Sequence, residues 1–409
     1  MSGIVIVGAG QAGFQLCASL RQAGFTGPVT IVGDEPALPY SRPPLSKAYL
    51  SGEADRDTLA LRPASFYPEH DVTALTGERV GSIDRADRLV RLESGGALAY
   101  DDLILATGAR NRPLPVPGAD LPGVRQLRTV EDADALMAEM ARVRSVAIVG
   151  AGFIGLEFAA VCAAKGISVT VLEGASRVLS RSVSAPMAAA IEAAHVSAGV
   201  TFVFDAVVSA VTGAERADGV STADGRSFPA DLVLVGIGVL PNAALAAEAG
   251  LAVSDGIEVD SFLATSDPAI SAIGDCANHP SPFADGARVR IESVQNAVDG
   301  ARCVAARLTG KPTPYSAVPW FWSDQGPLKL QIAGLAAPHD LAVTRGDPAS
   351  GAFSTFCYRG GRLVGVESLS RPADHMIARR LLQSGASLPP EQAADPAFDL
   401  KAFALSAGR

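Results

Sequence analysis

Ile4-Val-Ile-Val-Gly8-Ala-Gly10-Gln-Ala-Gly13 is the stretch on which the fold of this 409-residue chain turns. An apolar run suited to a strand meets three glycines spaced G-x-G-x-x-G, and a helical stretch follows from Phe14 to Gln22. A second apolar run, Val29-Thr-Ile-Val-Gly-Asp34-Glu35, closes the unit with two acids 21 and 22 residues after Gly13. Each glycine answers a separate need. One makes the tight turn, one lets the backbone approach a pyrophosphate, and the third lets the helix pack close to its strand. The helix N-terminus then offers free N–H groups and its positive dipole end to phosphates, and an acid at the end of the second strand accepts from ribose hydroxyls.

The pattern recurs. Ser145-Val-Ala-Ile-Val-Gly150-Ala-Gly152-Phe-Ile-Gly155 leads into an alanine-rich helix, and Val169-Thr-Val-Leu-Glu173 supplies the second strand and its acid. Two complete fingerprints imply two dinucleotides. Glu173 stands where it would accept from the 2′-hydroxyl of NADH and repel the 2′-phosphate of NADPH. Arg177, four residues on, could tolerate a phosphate, but the acid favours NADH.

The rest of the composition removes other classes. At 409 residues, 48% apolar and 19% charged, the chain has material for two or three domains with sizeable cores. A net charge of -9 argues against partners such as nucleic acid or an anionic membrane. Five scattered cysteines (Cys17, Cys162, Cys276, Cys303, Cys357) carry no paired spacing, so no disulfide scaffold or metal site is expected. Buried packing is the expected role of all five, with Cys17 and Cys162 at equivalent places in the two fingerprint helices. No secretory signal precedes the first strand, and Pro241, Asn242 and Glu248 interrupt the apolar stretch from Leu232 to Val253. A soluble, cytoplasmic protein is expected.

Several longer motifs resemble one family. They are Pro39-Tyr-Ser-Arg42-Pro-Pro-Leu-Ser-Lys47, the strand Asp101-Asp-Leu-Ile-Leu-Ala-Thr107-Gly108, Leu127-Arg128-Thr129 and Gly152-Phe-Ile-Gly-Leu-Glu157. Further on come Val235-Gly-Ile-Gly238-Val-Leu-Pro241-Asn242, Ile270-Ser-Ala-Ile-Gly274-Asp275, Arg290-Ile-Glu292-Ser293-Val294-Gln-Asn296 and Val318-Pro-Trp320-Phe-Trp322-Ser-Asp-Gln325. Together they resemble the FAD-dependent NADH:ferredoxin reductases of the putidaredoxin reductase and biphenyl-dioxygenase reductase type, within the glutathione-reductase-like flavoproteins, over nearly the whole chain.

The resemblance implies an α/β fold: two Rossmann-type dinucleotide-binding domains plus a C-terminal α+β domain. FAD is expected in a discontinuous domain, residues 1–112 and 241–317, NADH in residues 113–240, and the remainder, 318–409, forms the third domain, with a loosely docked Pro/Ala-rich end. It implies FAD contacts from Gly8, Gly10, Ala12, Gly13, Glu35 or Asp34, Arg42, Val80, Thr107, Gly108, Arg128, Asp275 and Val294. For NADH it implies Gly150, Gly152, Ile154, Gly155, Glu157, Glu173, Arg181 and Gly238, with the Glu292 and Ser293 backbone. Lys47 is expected beside the flavin and paired with Glu157.

Related two-fingerprint enzymes carry redox cysteines after the first unit. Here that segment reads Arg42-Pro-Pro-Leu-Ser-Lys47, and no sulfur-bearing cysteine lies between Cys17 and Cys162. Electrons must then leave the flavin directly for an external acceptor. The resemblance makes that acceptor a 2Fe–2S ferredoxin serving a haem monooxygenase or a ring-hydroxylating dioxygenase. Trp322, and less so Trp320, would lie on the exit route. A basic patch for an acidic ferredoxin is expected from Arg288, Arg290, Arg302, Arg307, Lys311 and Lys329, of which Arg302 and Lys329 match family docking positions. A monomer is expected. The competing readings are a rubredoxin reductase and a flavoprotein like apoptosis-inducing factor that acts through partners.

Overall fold

A computed structural model describes residues 3–406, and the chain divides into two compact units. The first comprises Met1–Ser41, Arg56–Arg110 and Leu240–Pro319; the second comprises Arg42–Asp55, Asn111–Val239 and Trp320–Arg409.

In the first unit, the strand Gly3–Val7 lies between Val29–Gly33 and Ala97–Leu105, parallel to both, with Val72–Thr76 beyond the former. Ile270–Ala272 adds a further parallel partner to Ala97–Leu105. Strands enclosed on both faces read as continuous apolar runs, and Ile4, Ile6, Ile31, Leu103 and Ile104 are buried accordingly. The helix Gln11–Gln22 covers this sheet and packs against the helix Val294–Leu308, which Ser293 caps by accepting from the Asn296 N–H at 3.0 Å.

The second unit repeats the plan. Its five-stranded parallel sheet runs Thr201–Val203, Ser168–Leu172, Ser145–Val149, Leu232–Val235, Val124–Arg125, with the helix Phe153–Ala164 after the second glycine turn. A separate five-stranded antiparallel sheet follows, ordered Trp320–Gln325, Leu328–Gly334, Arg362–Leu369, Ala352–Arg359, Leu341–Asp347. The helix Pro372–Ser384 packs on it.

Two features differ from expectation. Arg42–Asp55 belongs to the second unit, where its short turns pack on the helices Val130–Met140 and Phe153–Ala164. The C-terminal end is anchored rather than loose as far as Ser406. Arg345 is buried and its guanidinium donates to the carbonyls of Asp395, Pro396 and Phe398, the last two at 3.1 and 2.9 Å. Leu400 and Ala404 of the final helix are buried as well.

Candidate functional site

The first cradle is shaped by backbone contact. A Cβ on Gly8 would stand 2.1 Å from the Ala106 carbonyl oxygen, and one on Gly13 would stand 2.1 Å from that of Gly8. Those two glycines let the strand, turn and helix touch. Gly10 is different: a Cβ there would meet no protein atom within 4 Å. Its helix starts with no side-chain cap and no acid in the first turn. Open space against unpaired N–H groups is what a pyrophosphate requires.

Other expected residues gather around this turn. Gly274 takes a left-handed φ of +74°, and a Cβ on it would lie 3.1 Å from that of Ala12, so the Gly274–Asp275 loop adjoins the start of the fingerprint helix. Arg290 reaches the Asp275 carbonyl at 3.4 Å and ion-pairs with Glu292 at 2.6 Å. Of the two candidate ribose acids, Asp34 is exposed, whereas Glu35 is half-buried and accepts from the Tyr40 hydroxyl. Asn242 clamps the Thr107–Gly108 turn: it donates to the Thr107 carbonyl at 2.9 Å and accepts from the Thr107 hydroxyl at 2.7 Å. Val80 starts a strand with a register shift beside it.

The second cradle has the same logic. A Cβ on Gly150 would lie 2.6 Å from the Gly236 carbonyl oxygen and one on Gly155 2.4 Å from that of Gly150, while one on Gly152 would find its nearest atom at 3.7 Å. This helix too begins without a side-chain cap or first-turn acid. Ile154 on its first turn is 43% exposed, unusual for an isoleucine. Glu173 accepts from the N–H groups of Ala151 and Ala175 at 2.7 and 2.9 Å, which fixes its carboxylate against the glycine turn. A Cβ on Gly238 would lie 3.9 Å from the Arg181 guanidinium. Glu292, Ser293 and Val294 lie in the first unit, in contrast to these residues.

The second unit also holds the ion pair. Lys47 Nζ stands 2.8 Å from Glu157 Oε2, with side-chain exposures of 18% and 2%. Two serines complete the carboxylate. Ser46 donates to Oε2 at 2.5 Å and Ser323 to Oε1 at 2.5 Å. A carboxylate with three donors can stay ionised in a dry setting, where an unpaired charge would be costly. Arg42 donates to the Arg128 carbonyl at 2.7 Å, and Asp132 accepts from the Arg128 and Thr129 N–H groups at 2.8 and 2.9 Å. Arg42, Lys47 and Arg128 thus share the second unit, although Arg42 and Lys47 are expected in the FAD domain. The open turns and nearby acids of the two cradles each fit a dinucleotide such as FAD or NAD(P)H.

Comparison with known proteins bears on this geometry. Residues 2–301 match the model for pyridine nucleotide-disulphide oxidoreductases, and residues 320–404 match a reductase C-terminal domain. The chain belongs to the pyridine nucleotide-disulphide oxidoreductase family. It is similar to the rhodocoxin reductase of Rhodococcus erythropolis, at 54% identity over 97% of this chain and 93% of that one. Among solved structures it is similar to the ferredoxin reductase for the CYP199A2 system of Rhodopseudomonas palustris, with a TM-score of 0.96, 49% identity and 99% and 100% coverage. The covalent putidaredoxin reductase–putidaredoxin complex also matches, at 0.96, 38% identity and 99% of both chains. The chain is accordingly an oxidoreductase of the ferredoxin reductase group, whose cofactors are FAD and NAD(P)H.

In this reductase the thiols are sealed in the interior. All five cysteines are free and buried. Burial pushes the thiols of Cys17 and Cys162 up to about 12 and that of Cys303 to about 11, and it raises Cys276 and Cys357 too. Such groups hold their protons near neutral pH and make poor nucleophiles. Cys17 and Cys162 are not equivalent, however. One follows its third glycine by four residues and the other by seven, a turn apart on the inner helix face.

Half of the six cations expected in a basic patch are engaged within the fold. Arg288 donates to the Val259 and Asn278 carbonyls at 2.9 and 2.8 Å, Arg307 donates to Ser271, and Arg290 is occupied as described. These three are structural. Arg302 and Lys329 remain about two-thirds exposed, at 64% and 62%, beside Asp299 and Asp324.

The strand Trp320–Gln325 has two different faces. Phe321, Ser323 and Gln325 point toward the helices that carry Phe153, Glu157 and His195. Trp320 and Trp322 alternate with them, half-buried and 5.6 Å apart between ring centroids; Arg379 lies 4.7 Å from the Trp320 ring. Neither indole is a fully buried anchor. Among the described residues no group of His, Cys, Asp or Glu is arranged to hold a metal, and no helix is long and apolar enough to cross a membrane.

The residues missed in the sequence are Ser46, Ser323, Gln325, His195, Tyr40 and Asn242. The one local signal was a pair of polar residues, Ser323 and Gln325, at alternate positions in an aromatic strand.

Proposed function

We propose that this protein takes electrons from NADH through FAD and delivers them singly to a 2Fe–2S ferredoxin that serves a haem monooxygenase or a ring-hydroxylating dioxygenase. The observation that carries the reading is the combination of two open nucleotide cradles with five sealed thiols. FAD, when bound, accepts a hydride as two electrons and releases electrons one at a time.

The protein's own residues prepare that exchange. The uncapped helix at Gly10 receives the FAD pyrophosphate, Glu35 its ribose and Asp275 its ribityl chain; Val80, Thr107, Gly108 and Val294 line the rest. Gly152, Ile154, Glu173, Arg181 and Gly238 receive NADH. Glu173 presents an acceptor to a 2′-hydroxyl and a repulsive charge to a 2′-phosphate, which supports NADH over NADPH. Lys47, kept charged by Glu157, offsets negative charge as the flavin is reduced. Arg42 and Arg128 add to the same field.

On the way out, Trp322 provides an aromatic contact toward the acceptor. Arg302 and Lys329 are the exposed cations that steer an acidic ferredoxin. The protein works as a cytoplasmic monomer, a placement that five unpaired thiols favour.

The test removes the two cations. Arg302→Gln with Lys329→Gln should raise the KM for ferredoxin and flatten its salt dependence while NADH–ferricyanide activity stays at the wild-type level. Equal loss with both acceptors would overturn the docking role. Stimulation of cytochrome c reduction by rubredoxin rather than by ferredoxin would overturn the acceptor.

A further inference from the structure

The polar contacts of Glu157 continue behind it into the C-terminal sheet. Gln325 Nε2 donates to Ser323 Oγ at 2.7 Å, and Gln325 Oε1 lies 2.9 Å from His195 Nε2. Ser323, Gln325 and His195 are all buried, as is Glu157. Every direction in this string follows from its end. An ionised carboxylate only accepts, so Ser323 gives it the one hydroxyl proton at 2.5 Å. The serine oxygen must then accept, which turns the amide nitrogen of Gln325 toward it and the amide oxygen toward His195. That oxygen needs a donor, so His195 carries its hydrogen on Nε2. Burial pushes the His195 imidazole down, against the hydrogen bond it donates to Gln325, so the neutral ring is favoured and the tautomer is the informative state.

All these hydrogens point toward Glu157. In a dry interior, aligned hydrogen bonds polarise one another, and the carboxylate at the end collects the effect. A glutamine amide does not readily pass a proton on, so the string orients and stabilises rather than conducts.

We propose that Ser323, backed by Gln325 and His195, is the positioning device for Glu157. It holds the carboxylate aimed at Lys47, so that the ammonium keeps its place. The proposal rests on the roles given above to Lys47 and Glu157. None of the three residues touches the reacting atoms, so each is a positioning residue.

The test uses the FAD-loaded protein. Nitrogen-15 NMR of the five histidine side chains should show His195 of the wild type as a neutral Nε2–H tautomer, and Ser323→Ala should mix the two tautomers. In stopped flow, Ser323→Ala should slow flavin reduction by about tenfold, the scale of one hydrogen bond to an ionised group, with NADH Kd changed by less than about twofold. Ser323→Thr, which keeps the hydroxyl, should restore both readouts. Gln325→Leu is the second variant should Ser323→Ala fail to fold; it should lose the tautomer preference and slow reduction in the same sense. A wild-type His195 in the Nδ1–H form, or wild-type reduction rates in a folded Ser323→Ala, would overturn the proposal. A wild type that NADH does not reduce would instead overturn the reading of Lys47 and Glu157, and the tautomer would still decide the string.

Discussion

Alanine placed at Gly13 and alanine placed at Gly10 should separate the fold from its cofactor. At Gly13 the new Cβ would sit 2.1 Å from the Gly8 carbonyl oxygen and 3.2 Å from Ile31 Cδ1, where ordinary contact begins at 3.4 Å. The isoleucine end can give way. The carbonyl cannot, because it belongs to the turn joining strand and helix. The helix must back off its sheet, at a cost of about 3 kcal/mol or more, the upper part of the range for overpacked cores. At Gly10 the backbone angles, φ −93° and ψ −162°, suit any residue, and the Cβ meets no protein atom within 4 Å. The cofactor-free fold should therefore change by less than about 1 kcal/mol. The methyl would intrude where the pyrophosphate approaches, and a clash of about 1–3 kcal/mol weakens FAD binding by roughly 5- to 140-fold. Guanidinium unfolding of cofactor-free protein and quenching of flavin fluorescence read the two effects separately. FAD added in excess should stabilise the wild type by mass action and Gly10→Ala much less. A cofactor-free Gly13→Ala as stable as the wild type, or a Gly10→Ala that holds FAD as tightly, would refute this separation of fold from cofactor.

Three further outcomes are expected. Lys47→Ala should slow flavin reduction by NADH far more than it loosens NADH binding, and leaving Glu157 without its cation should cost roughly 3 kcal/mol of stability; an unchanged stopped-flow rate removes Lys47 from the mechanism. A thiol reagent should leave the native protein unlabelled and fully active, and should titrate five thiols only after unfolding; a fast-reacting thiol whose modification abolishes activity refutes the sealed-thiol reading. His375 is buried with neither ring nitrogen bonded, and burial, aided by the Arg379 charge, pushes its imidazole down to about 4. The unfolded chain takes up that proton near 6.5 and the folded one only near 4, so stability is full above 6.5 and is lost as pH falls between those values. His375→Leu should flatten that slope in unfolding midpoints taken at pH 7 and pH 5, and an identical slope would exclude the residue.

Both nucleotide cradles were readable in the sequence because what they need is local. A turn that admits no Cβ at Gly8 or Gly150 leaves its mark within ten residues. Lys47 and Glu157, 110 residues apart, were legible only through family resemblance. The serines that complete their pairing were not, since Ser323 and Ser46 look like any serine until the fold brings them to one carboxylate. Counting charges misled in the run from Arg288 to Lys329. Arg288, Arg290 and Arg307 are spent on carbonyls, a hydroxyl and nearby acids, and no count of cations contains their partners. The Pro/Ala-rich end misled for a related reason: Arg345, about fifty residues upstream, holds its carbonyls.

The alternation along Trp320–Gln325 has an evolutionary consequence. On the docking role proposed for Trp322, changes at 320, 322 and 324 would alter the partner-facing side of the strand, whereas changes at 323 and 325 would disturb the hydrogen bonds that end on Glu157. On that proposal a lineage would exchange its electron carrier by drift at alternate positions, while the serine and glutamine behind Glu157 are inherited unchanged.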